Sequence, residues 1–378
     1  MTKPLVVGVD IRDLRIAKTG TGTYLKELCI EFKKLESPEV KFLFFDTGIG
    51  VYTGEIKILK LLEHVRLQVW KQIQLPLKAW FSRSNVLFCT DNIVPFTQIG
   101  YKTIPVIHDA FFFENPSHYN RIWLWFYKNL AIPAARKSAF VITPTEYATD
   151  RIHHYTGINK NKLITVCEGP KSFVLQETTG PHGSKVLNEF DFERGDYILH
   201  VGIMDKRKNI PALIYAFKKL KDDGYRGKLV LVGKADSVKL NSDSQAIANA
   251  IKKNELENDI VITGYLSDKD LSKVYAGALL YVFPSTNEGF GIPILEAFRH
   301  RLPVIVADNT CLPEVGGNAV LSFNPYDTEE IFQKMKLVIE NEELQHEMIE
   351  KGSIRLKEFS WEKAAKQLLE IFKKAHNS

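Results

Sequence analysis

The chain has 378 residues, 45% of them hydrophobic and 25% charged, and a formal net charge of +5. That length exceeds what one hydrophobic core usually supports, so two domains are predicted. The composition is that of an ordinary globular protein, and no run of about 18 apolar residues is present to span a bilayer.

The chain opens on Leu5-Val6-Val7-Gly8-Val9-Asp10, an apolar stretch too short for a signal peptide that reads as a first strand. Further β-rich apolar runs follow at 40–46, 85–90, 103–108, 139–143 and 163–167. In the second half they recur at 197–202, 228–233, 259–263, 279–284, 303–306 and 319–323. Continuous Val/Ile/Leu runs of this kind suit strands buried on both faces of a parallel sheet. The segments between them carry helical spacing, as in Tyr24, Leu25, Leu28, Cys29 and Phe32. Strand–helix alternation predicts a doubly wound α/β architecture, here in two copies without a detectable sequence repeat. The polar stretch 171–194 has no clear period and reads as the linker. The predicted domains are 1–175 and 190–358, with a final segment 359–378.

The cysteines, Cys29, Cys89, Cys167 and Cys311, are far apart and show neither CxxC nor Cys/His metal spacing. They read as small buried hydrophobes in a reducing compartment, which points to the cytoplasm. Positive charge is concentrated in the first 170 residues, with 22 basic against 15 acidic. Segment 65–90 carries Arg66, Lys71, Lys78 and Arg83 without an acid. Segment 121–140 carries Arg121, Lys128, Arg136 and Lys137, also without an acid, among Trp123, Trp125, Phe126 and Tyr127. Two readings stand for these segments. One is a pair of amphipathic helices with solvated basic faces; the other is peripheral contact with an anionic membrane surface or an anionic acceptor. No nucleic-acid-binding motif accompanies the charge.

In open α/β sheets ligands bind beyond the carboxyl ends of the strands, and the informative residues lie there. After the run 279–284 comes Ser285-Thr286-Asn287-Glu288-Gly289-Phe290-Gly291-Ile292-Pro293-Ile294-Leu295-Glu296. Its glycines let backbone approach a ligand closely. Pro293 suits a first helical turn, and a helix N-terminus opening there favours a phosphate or diphosphate. Glu288 and Glu296 could grip two hydroxyl-bearing parts of one ligand. After 197–202, Lys206-Arg207-Lys208 sits between strand and helix. It is either solvated surface or a pair of cations that neutralises a diphosphate leaving group. Near the N-terminus, Gly20-Thr21-Gly22-Thr23-Tyr24 is either a tight turn capping a helix at Thr23 or a backbone loop that closes on a sugar or phosphate. His108, at the end of the run 103–108, is either a satisfied hydrogen-bonding residue or a contact to a transferred sugar. Neither a Ser/His/Asp triad nor metal-ligand spacing is apparent.

The stretch Glu288 to Ala297 resembles the glutamate–seven–glutamate signature of retaining glycosyltransferases of family 4 (group 1). The resemblance extends through Gly20–Tyr24, Val106-Ile107-His108-Asp109, Thr143-Pro144-Thr145-Glu146 and Val201 to Asn209. It continues in Leu312-Pro313-Glu314-Val315 and Phe359-Ser360-Trp361, and is nearest to the mannosyltransferase-B-like subgroup. It implies the GT-B fold, two Rossmann-like domains facing an interdomain cleft, with the last helix crossing back to the first domain.

By the same resemblance Glu288 would hold the donor sugar, helped by the backbone N–H groups of Gly289, Phe290 and Gly291. Glu296 would bind the nucleotide ribose. Arg207 and Lys208 would stabilise the departing nucleoside diphosphate in place of a metal, so no metal or other cofactor is expected. His108 would sit by the reacting sugar, and Gly22 would close on the phosphates. The expected reaction is transfer of a hexose, mannose-type favoured, from a GDP- or UDP-linked donor to a glycan or lipid-linked glycan. Alternatives are a sugar-nucleotide epimerase of the same fold and a non-catalytic glycan-binding scaffold. The sequence departs from the family pattern at Phe298-Arg299-His300-Arg301-Leu302-Pro303, which lacks a Cys-Gly pair, and at Asn309-Thr310-Cys311-Leu312. Both departures bear on base or sugar preference.

Overall fold

The computed structural model describes residues 3–15, 20–52, 54, 56–172, 195–234 and 242–378. Most of the expected linker, 173–194, lies outside them. The chain divides into two compact units, one made of Met1–Gly169 with Ser360–Ser378 and the other of Pro170–Phe359.

In the first unit β1 (Leu5–Asp10), β2 (Val40–Phe45), β3 (Val86–Cys89) and β4 (Lys102–Pro105) form a parallel sheet in the order β2-β1-β3-β4. A parallel bridge from Val106 to Ile142 leads on to a second pair, β5 (Val141–Thr143) and β6 (Leu163–Thr165). Val7, Val9 and the whole of β3 are buried, as expected where helices cover both faces of a sheet. Helix Gly20–Lys34 buries Tyr24, Leu25, Leu28 and Phe32. It begins at Gly20, so Gly22 lies inside the first turn and Thr23 is not its cap. The chain's last helix, Trp361–Asn377, packs against helix Gly20–Lys34 within this unit. Its buried positions Ala364, Leu368, Ile371 and Ala375 recur every three or four residues. Phe372 fits among Phe32, with ring centroids 5.9 Å apart, and Phe88, 5.3 Å away.

The second unit contains β7 (Tyr197–Val201), β8 (Lys228–Val232), β9 (Ile260–Gly264), β10 (Leu280–Phe283), β11 (Val304–Ala307) and β12 (Val320–Phe323). All are parallel, in the order β12-β11-β10-β7-β8-β9. Strand order therefore reverses between β7 and β10. At such a switch point the outgoing loops part on opposite sides and leave a crevice at the carboxyl ends of the strands. Each run expected from sequence coincides with a strand, trimmed or displaced at its ends. The largest change is at 103–108, where β4 closes at Pro105 and the chain continues through the Val106 N–H bonded to the Cys89 carbonyl at 2.8 Å and a single bridge to Ile142.

Candidate active site

The loops leaving β7 and β10 flank the switch point of the second unit. After β7, Lys206–Lys208 forms a single 3-10 turn. Asp205 opens it, its carboxylate accepting from the Arg207 backbone N–H at 3.1 Å. Asn209, at φ 52°, ends it and donates through Nδ2 to the Pro325 carbonyl at 2.7 Å. The Arg207 carbonyl accepts from the Thr286 backbone N–H at 2.7 Å, joining this turn to the loop after β10.

That join brings Lys208 and Glu288 together: Nζ donates to Oε1 at 2.6 Å, with both side chains about nine-tenths buried. Burial pushes the Glu288 carboxyl up, but the charges of Lys208 and Arg207 reverse the effect and hold it below the usual carboxylate range. Lys208 Nζ also lies 4.9 Å from the centre of the Phe283 ring. The Arg207 guanidinium pairs with Asp205 at 2.8 Å. His200, in β7, donates from Nδ1 to the Val282 carbonyl at 3.0 Å. Burial, with Lys208 beside it, lowers its pKa to about 4, so it is neutral at pH 7.

Gly291, at φ 108°, is the residue before helix Ile292–Arg299 and lets the loop turn abruptly into it. A Cβ there would lie 3.0 Å from Leu312 Cδ2, so both conformation and space favour glycine. Pro293 occupies the first turn, where a missing N–H costs no hydrogen bond. The Cys311 thiol lies 3.3 Å and 3.1 Å from the carbonyls of Glu288 and Phe290, supporting the loop from behind. One turn into the helix Glu296 is buried and accepts from Tyr275 Oη at 2.8 Å. Burial raises its pKa to about 7, only partly opposed by that bond. Tyr275 stacks on His300, with centroids 5.3 Å apart. Position 300, one of the departures from the family pattern, therefore supports the Glu296 partner.

The remaining predicted residues lie in the first unit. His108 is flanked by acceptors, the Thr90 carbonyl at 3.1 Å from Nε2 and Glu168 Oε1 at 3.5 Å from Nδ1. Burial disfavours its charge, but Glu168 outweighs this and its pKa is raised. Tyr24, two residues beyond Gly22, meets the imidazole edge-on at 5.0 Å. The structure thus gathers Arg207, Lys208, Glu288, the Gly289–Gly291 loop and Glu296 around one end of the second sheet. It holds His108 and Gly22 in the first unit.

Sequence reading missed Glu168 and Tyr275, which carry no motif of their own. It also missed a buried charge network at the switch point of the first sheet, between β1 and β3. There Lys71 pairs with Asp10 at 2.6 Å and with Asp91, and Trp70 Nε1 donates to Asp10 at 3.1 Å. An acid-free segment had hidden Lys71's partners, which are distant in sequence. Among the described residues no three His, Cys, Asp or Glu side chains gather as a metal site.

Residues 188–355 match the family described as glycosyl transferases group 1. An O-antigen chain mannosyltransferase B of Escherichia coli is 25% identical over 273 residues, covering 72% of this chain and 70% of its own. A serotype-specific mannosyltransferase WbdA of the same organism is 27% identical over 283 residues. That match takes in 74% of this chain but 34% of WbdA, so the chain spans about a third of that relative. Among solved structures, the sucrose-phosphate synthase of Thermosynechococcus elongatus superposes with a TM-score of 0.73 at 16% identity, covering 98% of both chains. Anabaena HepE in complex with UDP and glucose gives 0.71 at 15% identity, over 98% of this chain and all of its own. The fold is GT-B, the two-unit architecture of one large class of glycosyltransferases. The match to the glycosyl transferases group 1 family lies in the second unit of that fold.

Proposed function

We propose that the protein transfers a hexose, of mannose type, from a nucleoside-diphosphate sugar to a glycan or lipid-linked glycan acceptor, with retention of configuration. The observation that carries this reading is the Lys208–Glu288 pair, held at 2.6 Å in the crevice of the second unit beside Arg207 and a helix N-terminus. A diphosphate there meets two cations and the N-terminus of helix Ile292–Arg299, the combination that stabilises departing negative charge. Glu288, ionised, is fitted to accept hydrogen bonds from sugar hydroxyls, and Glu296 from the ribose.

In the reaction the C1–oxygen bond to the diphosphate breaks as C1 bonds to the acceptor oxygen on the same face. The acceptor proton passes to the leaving phosphate. His108, kept in place by Glu168 and the Thr90 carbonyl, serves the reacting sugar, and Gly22 serves the phosphates. Arg207 and Lys208 supply the positive charge, and the transfer proceeds without a metal ion. The names of the E. coli relatives favour a mannosyl donor, whereas the HepE complex holds UDP. Four free cysteines suit a reducing cytoplasm.

The deciding experiment is a thermal-shift titration with GDP, UDP, GDP-mannose and UDP-glucose, without added metal. A rise with one nucleotide family names the base. No rise with any of the four overturns the donor assignment.

A further inference from the structure

His108 stands where both of its ring nitrogens meet oxygen. Nε2 lies 3.1 Å from the Thr90 carbonyl and Nδ1 3.5 Å from Glu168 Oε1. A carbonyl can only accept, so Nε2 carries a proton. A neutral ring would then turn the Nδ1 lone pair towards a carboxylate that is only 4% exposed, and two lone pairs facing each other in a buried site repel. A second proton on the ring removes that repulsion and makes the contact an ion pair. The proton belongs to the imidazole, which in water binds one about two pH units more tightly than a carboxylate does. Among the described residues Glu168 has no other ion-pair partner, so a neutral His108 would also leave a buried carboxylate uncompensated.

The groups around the pair come from separate elements of the first unit. Thr90 follows β3 and Glu168 follows β6. Helix Gly20–Lys34 contributes Tyr24, which meets the imidazole edge-on at 5.0 Å and the Trp361 ring at 5.5 Å. The Tyr24 hydroxyl is buried without a hydrogen-bond partner among the described residues, and burial, together with the Glu168 charge, keeps it protonated. A Cβ on Gly169 would stand 2.6 Å from the Trp361 backbone N, so the residue after Glu168 is held hard against the start of the last helix. The other charge acting on the ring, that of Asp109, has the same sign as Glu168. We propose that Glu168 is a positioning residue that holds His108 as a doubly protonated imidazolium at neutral pH, so that His108 stands beside the reacting sugar as a fixed cation and not as a base. A ring with a proton on each nitrogen has no lone pair for the acceptor's proton, which leaves the departing phosphate to take it. This role rests on the proposed function, which puts His108 beside the sugar; the charge of the ring is independent of it.

The test is NMR of the histidine ring nitrogens in the full chain, assigned through bonds and followed against pH. In the unmodified protein both His108 nitrogens are expected to be protonated at neutral pH, with a midpoint above the ordinary histidine value of 6.5. Glu168→Gln keeps the shape and removes the charge, and should lower that midpoint by about one pH unit or more. Glu168→Asp keeps the charge on a shorter arm and should leave it above 6.5. Correspondingly, kcat should fall as pH rises through the midpoint, and in Glu168→Gln the fall should come about one unit lower, with KM for the donor changed less. A merely structural Glu168 would give the reverse order, with Gln tolerated and Asp harmful. An unprotonated ring nitrogen at neutral pH in the unmodified chain overturns the proposal, as does an unmoved midpoint in Glu168→Gln. Should that variant not fold, the ring signals of the unmodified chain decide by themselves. Failure of the transferase reading appears separately, as absent nucleotide binding and transfer by a chain whose His108 is still charged.

Discussion

Glu288 and Lys208 are each other's charge compensation, and neither can be altered without exposing the cost of the other. Replacing Glu288 by Gln preserves shape but removes the charge that orients the lysine and the carboxylate that the proposed function assigns to the sugar. Turnover is expected to fall by about 10²–10³, with an unchanged circular dichroism spectrum; near-normal turnover would remove Glu288 from the site. Lys208→Ala is expected to be worse on both counts, since it leaves a buried carboxylate unpaired, a loss of about 3–5 kcal/mol by urea titration. Glu296 gives a pH signature. Its folded pKa of about 7 exceeds the ordinary carboxylate value of 4.5, so the folded state binds the proton more readily. Its destabilising contribution is absent at low pH, grows as pH rises from 4.5 to 7 and is complete above that, up to about 3 kcal/mol. Urea midpoints of the unmodified protein and Glu296→Gln should therefore diverge across this window, the variant gaining. Asp13, whose pKa is also raised to about 7, is common to both and cancels. A difference independent of pH would contradict the burial of an ionisable Glu296.

At the scale of elements, the active loops are positioned by close backbone approach as much as by side-chain bonds. A Cβ on Gly202, at the end of β7, would stand 3.0 Å from Lys208 Cε. Gly202→Ala should displace the lysine and lower kcat by about tenfold or more, with a small effect on melting. An effect on melting alone would mean that Lys208 has room to adjust. The strands and the Pro293 helix start were legible in the sequence because local rules govern them: buried parallel strands need continuous apolar runs, and proline tolerates only the first helical turn. The helix starting at Gly20 was less legible, since Gly20 and Gly22 are poor helix formers. Helical segment 57–81 was read only as basic, whereas it turns Ile58, Leu62 and Leu77 to solvent. Hydrophobic spacing says that a face exists without saying which way it points.

At the scale of the whole molecule, two units with separate sheets imply two cores. Phe372→Ala empties a site between Phe32 and Phe88 in the first unit and is expected to cost about 3–5 kcal/mol there. A saturating nucleoside diphosphate should act on the second unit, raising its stability by about 2.7 kcal/mol at a hundredfold excess over Kd. Differential scanning calorimetry reads both: the substitution should lower one transition and the nucleotide raise the other. If both perturbations move one common transition, the units melt as a single cooperative block.

The sequence by itself determined the strand–helix alternation, the two copies of it and the motif residues after β7 and β10. These follow from periodicity and from backbone chemistry within a few residues of one another. Only the tertiary structure decided the strand order that puts those two loops side by side, because β7 and β10 are separated by two strands in sequence and adjacent in the sheet. It likewise decided that Lys208 meets Glu288, that Tyr275 holds Glu296, and that Lys71 turns inward to Asp10 while its helix turns apolar residues outward. Each of these pairings spans 20 residues or more of chain. What singles them out is the cost of leaving a buried charge or polar group without its partner, a condition that no local stretch of sequence can express.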